Sequence, residues 1–244
     1  SLPLQGKTIV ITRAQEQQGE AHDLFLSNGA SILDLPALVI GPPSHWDDLD
    51  NALRNLGSFD WIVFSSSNGV RAVEERLQTM HKNLANSSDS LKIAAVGRKT
   101  ALTLQQIGVT PNFIPPKFVA DSLIEHFPWE AEQLRILLPR VQSGGRTILA
   151  ESFERGGMQV VEVAAYESSC PKEMPEKTAQ AFVNQEVDAI AFTSGKTVTH
   201  TAQLMLKRFG NNWQHYLNET NLISIGPQTS INCRKVFNRV DQEA

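Results

Sequence analysis

The chain contains the same local pattern twice. "FSSSNGV" stands at 64–70 and "FTSGKTV" at 192–198, and each continues a short apolar run that begins after an aspartate, Asp60 or Asp188. Each copy therefore has the form of a strand, a hydroxyl-rich turn and the start of a helix. A repeat on this scale constrains the fold more than any single motif, because both copies must form the same supersecondary unit.

Three further blocks repeat at almost the same distance. The offset between the partners stays between 127 and 129 residues. The pairs are "TIVITRA" with "RILLPRV", "HDLFLSNGASILDLP" with "AESFERGGMQVVEVA", and "AAVGRKTALTL" with "ISIGPQTSINC". A constant distance over four blocks indicates an ancestral duplication and not a chance likeness between strands.

Within each copy, short apolar runs alternate with helical patterns such as "SNGVRAVEERLQTM" and "GKTVTHTAQLMLKRF". Nearly continuous apolar strands separated by helices are typical of a parallel sheet that is covered on both faces. We therefore predict an α/β fold of two doubly wound parallel-sheet domains, which arose by internal duplication and are joined by two extended linkers.

The composition excludes several classes of protein. A formal charge of −4 provides no basic field, so we expect no nucleic-acid partner. Cys170 and Cys233 are too few for a disulfide framework or a zinc motif. No apolar run has the length of a membrane span, and the start "SLPLQGKTIVIT" lacks signal-peptide features. We expect a cytoplasmic protein without membrane attachment, or a protein of the plastid stroma if a transit peptide has been removed.

Six loops follow the predicted strands, at the edge where open parallel sheets bind their ligands. Hydroxyls, glycines and basic residues recur in these loops, and carboxylates are absent from them. The loops contain Thr12 and Arg13, Ser65–Gly69, Gly97–Thr100, Pro139 and Arg140, Thr193–Thr197, and Gly226–Thr229. Such donors suit a ligand with several carboxylates or phosphates.

Each loop taken alone has a structural explanation. Ser66 and Thr193 precede helices, where N-caps are expected, and Arg13 and Arg140 are equally explained as solvated charges at strand ends. The prediction of a polyanion site therefore depends on the six loops together.

The usual catalytic motifs are missing. The chain has no GxSxG elbow and no HExxH, and the glycines of "SGGR" at 143–146 lack the spacing of a nucleotide loop. Tyr166 ends a strand at the junction of the two copies. Its phenol could donate a hydrogen bond to a leaving hydroxyl, or Tyr166 could be a half-buried strand residue with its hydroxyl in solvent.

Six segments in order resemble the uroporphyrinogen-III synthase family: "GKTIVITRA", "FDWIVFSSSNGVRAVEE", "KIAAVGRKTALTLQQIG", "ILLPRVQSGGRTILAESFERGGMQVVEVAAYES", "DAIAFTSGKTV" and "ISIGPQT". The resemblance implies a discontinuous domain of residues 1–36 and 167–244 and a second domain of 37–166. It places the extended linkers near 35–42 and 163–171, and the substrate in a cleft between the domains.

The resemblance also implies a reaction. The enzyme, a lyase of heme and chlorophyll biosynthesis, would close hydroxymethylbilane, a linear tetrapyrrole with eight carboxylates, to uroporphyrinogen III with inversion of ring D and loss of water. No metal or organic cofactor is implied. We expect a monomer, which could receive its substrate by transient handover from hydroxymethylbilane synthase.

On the family pattern, Tyr166 matches the tyrosine that assists departure of the hydroxyl. Thr100 and Thr229 match two turn hydroxyls. The strand-end hydroxyls are Ser65, Ser66 and Ser67 in the first copy and Thr193 and Ser194 in the second. Charge and location add four expected partners for substrate carboxylates, which are Arg13, Arg140, Arg146 and Lys196.

Two other functions fit the same duplicated plan. A noncatalytic two-lobed binding protein or sensor for a small polyanion would use similar loops. A nucleotide-dependent transferase of doubly wound fold is the second, although the glycine fingerprint that it needs is missing.

Overall fold

The computed structural model describes residues 1–13, 19–87, 89–117, 120–128 and 134–244. The chain forms two compact units. We call Ser1–Val39 with Ser169–Ala244 the terminal unit, and Ile40–Ser168 the central unit. The divisions fall a few residues after those predicted at 36 and 166.

The elements alternate between strands and helices along most of the chain. In chain order they are β1 (Thr8–Ile11), α1 (Gly19–Ser27), β2 (Ser31–Asp34), β3 (Val39–Gly41), α2 (Asp47–Arg54), β4 (Trp61–Phe64), α3 (Ser67–Thr79), β5 (Lys92–Ala95), α4 (Arg98–Gln106), α5 (Ala120–His126), β6 (Arg135–Val141), α6 (Ile148–Arg155), β7 (Gln159–Ser169), α7 (Glu176–Val183), β8 (Ala189–Phe192), α8 (Gly195–Phe209), β9 (Asn221–Ser224), α9 (Pro227–Phe237) and β10 (Gln242–Glu243).

Each unit contains one five-stranded sheet. The order is β10-β9-β8-β1-β2 in the terminal unit and β3-β7-β6-β4-β5 in the central unit. The pairs β1–β2, β1–β8, β8–β9 and β9–β10 of the terminal sheet and β4–β5, β4–β6 and β6–β7 of the central sheet are parallel, which confirms the predicted α/β fold with parallel sheets. The inner series β9-β8-β1-β2 and β5-β4-β6-β7 correspond strand for strand, as expected for duplicated units.

The aspartates that begin the repeated apolar runs have matching structural roles. Asp60 Oδ2 accepts the backbone N–H of Arg135 at 2.7 Å, and Asp188 Oδ2 accepts that of Thr8 at 2.8 Å. In both units, therefore, the carboxylate before one strand binds the first residue of the strand beside it. Each carboxylate thus provides an acceptor for the first N–H group of an interior strand.

The apolar runs are nearly continuous because the central sheet is buried on both faces. Ile62 and Phe64 belong to one hydrophobic cluster, whereas Trp61 and Val63 belong to another. Alternate residues of a strand point to opposite faces, so all four residues of β4 are covered.

The predicted linker segments are extended, but both take part in the central sheet. Val39–Gly41 forms the edge strand β3, and Gln159–Ser169 forms the long strand β7 beside it. The backbone conformation of these segments agrees with an extended linker. The two segments lie next to each other in one sheet and are joined by hydrogen bonds. The sequence did not predict this pairing.

Cys233 provides a pH-dependent test of the terminal core. It lies in α9 with its side chain fully buried, and burial raises the pKa of its thiol to about 11. The unfolded thiol has a pKa of about 8.5. A folded pKa above the unfolded value favours the protonated folded state, so this stabilisation is complete below the unfolded pKa and is lost as the pH rises toward the folded one.

We therefore expect the free energy of unfolding of the wild type to fall more steeply between about pH 9 and pH 11 than that of Cys233→Ala, by up to about 1.4 kcal/mol per pH unit. Urea unfolding of both proteins across this range measures the difference, and other titrating groups cancel in the comparison. Parallel curves would contradict the burial of the thiol.

Candidate active site

The strand order of each sheet reverses at one point. In the central unit the chain passes from β4 to β5 on one side and from β6 to β7 on the other, so the reversal lies between β4 and β6. In the terminal unit it lies between β1 and β8. Open parallel sheets bind ligands beyond the carboxyl ends of the strands at such points.

A proline lies just beyond the end of the pairing at the reversal in the central sheet. The pairing of β4 with β6 ends at Ile62 and Leu137, although β6 continues to Val141. Pro139 has no N–H to donate, so it cannot extend this ladder. The carboxyl ends of β4 and β6 are therefore free of mutual backbone pairing beyond Leu137.

Ser66 lies at the carboxyl end of β4 and caps α3. Its backbone is extended, and its Oγ accepts the N–H of Gly69 at 3.0 Å. This confirms the N-cap role that the sequence suggests for Ser66. Ser65, before it, is exposed, and Ser67 is the first residue of α3.

Tyr166 reaches the same position from β7. Its hydroxyl oxygen lies 3.0 Å from Ser66 Oγ, a hydrogen bond in which either group can donate. The tyrosine is only 9% exposed and belongs to a core cluster of the central unit. The alternative of a half-buried tyrosine with its hydroxyl in solvent is therefore wrong, because the hydroxyl has a partner one hundred residues away in the chain.

An irregularity in β7 directs the side chain of Tyr166 toward Ser66. Arg140 of β6 lies opposite Ala164, but Val141 lies opposite Tyr166, so Ala165 is passed over. In a regular strand Ala165 and Tyr166 would point to opposite faces. Both instead belong to the same core cluster, as a bulge allows.

The terminal unit has a related arrangement at its own reversal. Ser194 caps α8, and Thr197 completes a reciprocal capping box with it. Thr193 donates its N–H to Thr197 Oγ1 at 3.3 Å. On the neighbouring strand end, Thr12 Oγ1 donates to the carbonyl of Ala191 at 2.8 Å, which ties β1 to β8.

Thr100 and Thr229 occupy equivalent positions in the first turns of α4 and α9. Both are buried, with 3% and 5% of their surface exposed. Gly97 and Gly226 precede these helices at the N-cap position. The two predicted turn hydroxyls are thus held alike in the two units.

Arg140 has a structural role that the sequence did not suggest. Its guanidinium donates to the carbonyls of Val141 at 2.9 Å and Ser143 at 2.8 Å. It also donates to the carbonyl of Gly145 at 2.5 Å and approaches Glu162 Oε2 at 3.3 Å. These bonds fold the loop around the guanidinium, so we do not retain Arg140 as a proposed substrate contact.

The remaining predicted cations lie at or near the strand ends. Arg146 forms an ion pair with Glu154, and both side chains are nearly half exposed. Arg13 lies two residues after the end of β1 and is partly buried. Lys196 is exposed in the first turn of α8.

Gly69 and Pro139 belong to the predicted binding loops, but neither had an individual role in the prediction. A Cβ on Gly69 would make a tight contact of 3.3 Å with Ser66 Oγ and an ordinary one of 3.7 Å with the carbonyl oxygen of Pro139, so α3 lies in contact with β6 at this glycine. Pro139 ends the β4–β6 ladder. A proline inside an apolar strand pattern is itself a signal of lost pairing.

The described residues provide neither a metal-binding cluster nor a membrane-spanning helix. Within the described ranges, no cluster of three or more histidine, cysteine, aspartate or glutamate side chains could hold a metal ion. No helix among the same residues is both long enough and apolar enough to span a membrane.

Comparison with known proteins identifies the family. The model of the family described as uroporphyrinogen-III synthase HemD matches residues 20–244. The chain belongs to the uroporphyrinogen-III synthase family. A uroporphyrinogen-III synthase of Synechococcus elongatus is 42% identical over 242 residues, which cover 99% of this chain and 91% of that protein. A putative uroporphyrinogen-III synthase of Methanocaldococcus jannaschii is 28% identical, over 91% of this chain and 86% of its own.

Solved structures of this family share the fold. Uroporphyrinogen-III synthetase of Helicobacter pylori superposes with a TM-score of 0.60 at 18% identity, covering 98% of this chain and 92% of that one. A mutant uroporphyrinogen III synthase of Thermus thermophilus gives a TM-score of 0.57 at 19% identity, covering 97% and 92% of the two chains. At these identities the comparison supports the fold alone.

Proposed function

We propose that this chain is a uroporphyrinogen-III synthase, which cyclises hydroxymethylbilane to uroporphyrinogen III with inversion of ring D and loss of one water. The observation that carries the proposal is the hydrogen-bonded pair of Tyr166 and Ser66 at the sheet reversal of the central unit, in a chain of this family. A phenol at that position can supply the proton that the departing hydroxyl needs.

In the proposed first step, Tyr166 donates its proton to the terminal hydroxyl of the bilane. The carbon–oxygen bond breaks, water leaves, and the electron pair of the pyrrole forms the exocyclic double bond of an azafulvene. Attack at the substituted carbon of ring D gives a spiro intermediate, which fragments and closes again. The proton lost when the last pyrrole regains aromaticity balances the proton that the phenol gave.

The protein's main contribution is to hold a flexible chain in one conformation. Left in water, the bilane cyclises without inversion to the type I isomer, so correct positioning decides the product. The substrate's carboxylates require many hydrogen-bond donors. We propose that hydroxyls at the carboxyl edge of each sheet supply them: Ser65, Ser67, Thr100, Thr193, Ser194 and Thr229.

We further propose that Arg13, Arg146 and Lys196 provide positive charge for the substrate carboxylates. The reaction is a cyclising lyase reaction, and we propose that it needs no metal or organic cofactor. A monomer in the cytoplasm or stroma, supplied by hydroxymethylbilane synthase, fits this chemistry. The oligomeric state, the compartment and the source of the substrate are thus proposals that go beyond the family assignment.

A product assay tests the proposed function. Hydroxymethylbilane is generated in situ, the protein is added, and the oxidised products are separated into type III and type I uroporphyrin. We expect predominantly type III, in proportion to the protein added. Type I alone, at the rate of the protein-free control, would refute the proposal and favour a noncatalytic binding protein, which direct measurement of bilane binding would then reveal.

Thr229 provides a test of the turn hydroxyls. Thr229→Ala is expected to lower kcat/KM about tenfold, because one hydrogen bond to the substrate is lost. The melting temperature should change by no more than about 3 °C, since only a hydroxyl and a methyl group are removed. Thr199→Ala, which alters an exposed threonine of α8, is the control. Unfolding of Thr229→Ala would return this residue to a structural role.

A further inference from the structure

One difference between the two copies of the strand–helix junction affects the helix cap. Ser66 and Ser194 both cap their helices and accept the N–H group three residues later. That third residue is Gly69 in the central unit and Thr197 in the terminal unit. Thr197 Oγ1 accepts the N–H of Ser194 at 3.1 Å and lies 3.4 Å from Ser194 Oγ, which closes the capping box.

The glycine leaves Ser66 available for a second partner. Position 69 carries no side chain beside Ser66 Oγ, and a Cβ there would make a tight contact of 3.3 Å. Tyr166 takes the second place, at 3.0 Å. The residue that corresponds to Tyr166 at an offset of 128 is Leu38, which has no hydrogen-bonding side chain. The duplication has therefore produced one closed junction and one that engages a phenol.

We propose that Ser66 is a positioning residue for Tyr166, which joins the N-terminus of α3 to the phenol in one chain of hydrogen bonds. The N–H of Gly69 donates to Ser66 Oγ, Ser66 donates to the Tyr166 hydroxyl oxygen, and the phenol proton then points away from Ser66. An oxygen that accepts a hydrogen bond donates more strongly, so each link polarises the next. The partial positive charge of the helix N-terminus acts in the same direction.

This inference rests on the proposed function, since the phenol proton is directed at the leaving hydroxyl of the bilane. It assigns Ser66 a role distinct from substrate binding. In the proposed bond-breaking step the phenol oxygen gains negative charge as its proton leaves, and the Ser66 hydroxyl already points its own proton at that oxygen. Ser66 thus stabilises the charge where it develops.

The hydrogen bond can be tested without substrate. The chain has two tyrosines, Tyr166 and Tyr216, so labelling tyrosine with carbon-13 at Cζ gives two signals, which Tyr216→Phe assigns. We expect Ser66→Ala to shift the Tyr166 signal, and Ser66→Thr, which retains the hydroxyl, to leave it close to the wild-type value. Ser194→Ala removes the equivalent N-cap and should not move it. An unshifted Tyr166 signal in Ser66→Ala would overturn the proposal.

Kinetics tests the consequence for the reaction. Ser66→Ala is expected to lower kcat about tenfold with little change in KM, and Ser66→Thr to restore most of kcat. Ser66→Ala and Ser194→Ala each lose one helix cap, so both should lose about 2–4 °C in melting temperature. An unchanged kcat in Ser66→Ala, despite a shifted signal, would overturn the role in catalysis.

The two hypotheses fail in different ways. If the wild type forms no type III product but the Tyr166 signal still responds to Ser66→Ala, the proposed function is wrong and the hydrogen-bonded pair stands. If type III product forms and the signal does not respond, the proposed function stands and the positioning role is wrong.

Discussion

Tyr166→Phe is expected to lower kcat by at least about 100-fold, with KM changed by no more than about threefold, because general acid catalysis contributes factors of this size and the ring itself is retained. The substitution removes only the hydroxyl that lies 3.0 Å from Ser66. Turnover is measured with hydroxymethylbilane generated in situ, and type III uroporphyrin is quantified against the type I background.

The control is Tyr216→Phe. Tyr216 is the other tyrosine of the chain, and its ring stacks on Phe209 in the terminal unit with a centroid distance of 4.3 Å. The same atom is removed from a different environment, so kcat should remain at the wild-type value. If Tyr166→Phe also retained kcat within about threefold, Tyr166 would not be the proton donor.

Phe127→Ala is expected to reduce the free energy of unfolding by about 3–5 kcal/mol, as large-to-small substitutions of buried phenylalanines do. Phe127 is 3% exposed and follows α5. Its ring centroid lies 4.8 Å from that of Trp61, 5.9 Å from Phe113 and 4.9 Å from Phe153. The alanine would leave a cavity whose walls belong to several elements. The surrounding side chains cannot fill this cavity without a further loss of stability. Urea unfolding at constant m-value measures the loss.

A second substitution separates burial from ring geometry. Phe127→Leu keeps most of the buried volume and loses the contacts between rings, so it should cost about 1–2 kcal/mol. Leu24→Ala, at a side chain that is 62% exposed in α1, should change stability by less than about 0.5 kcal/mol. A loss below about 1.5 kcal/mol in Phe127→Ala would contradict the packing of this cluster.

The strands could be predicted from the sequence because both of their faces are buried. A strand covered on both faces needs apolar residues throughout, and "DWIVF" meets that need with Trp61 and Val63 on one face and Ile62 and Phe64 on the other. The N-cap of α3 was predictable for a similar reason. It depends on Ser66 and on the backbone three residues later, which are adjacent in the sequence.

The partner of Tyr166 was not predictable from local sequence. Its direction depends on the register of β6 against β7, which shifts after Arg140. Registers are set by the packing of whole strands, and a shift of one residue reverses the face to which each side chain points. The sequence predicted the end of a strand at Tyr166, but β7 continues to Ser169, and the contact with Ser66 follows a bulge within the strand.

The role of Arg140 was missed because a charged residue at a strand end has two outcomes. It can remain in solvent or bind the carbonyls of its own loop. The turn through Gly144, whose φ of +95° favours glycine, brings the carbonyls of Ser143 and Gly145 to the guanidinium. The glycines of "SGGR" therefore shape this loop.

The discontinuity of the terminal unit determines the order in which the chain can fold during synthesis. β1 lies in the interior of its sheet, between β2 and β8, and pairs with a strand whose residues are made about 180 positions later. The central unit is one uninterrupted segment, and it can form as soon as Ser168 has left the ribosome. The first strand synthesised must therefore remain without one of its two neighbours until the central unit is complete and α7 and β8 have followed. A ribosome paused once Ser168 has emerged from the exit tunnel, but before β8 has emerged, would carry a folded central unit and a protease-sensitive N-terminus.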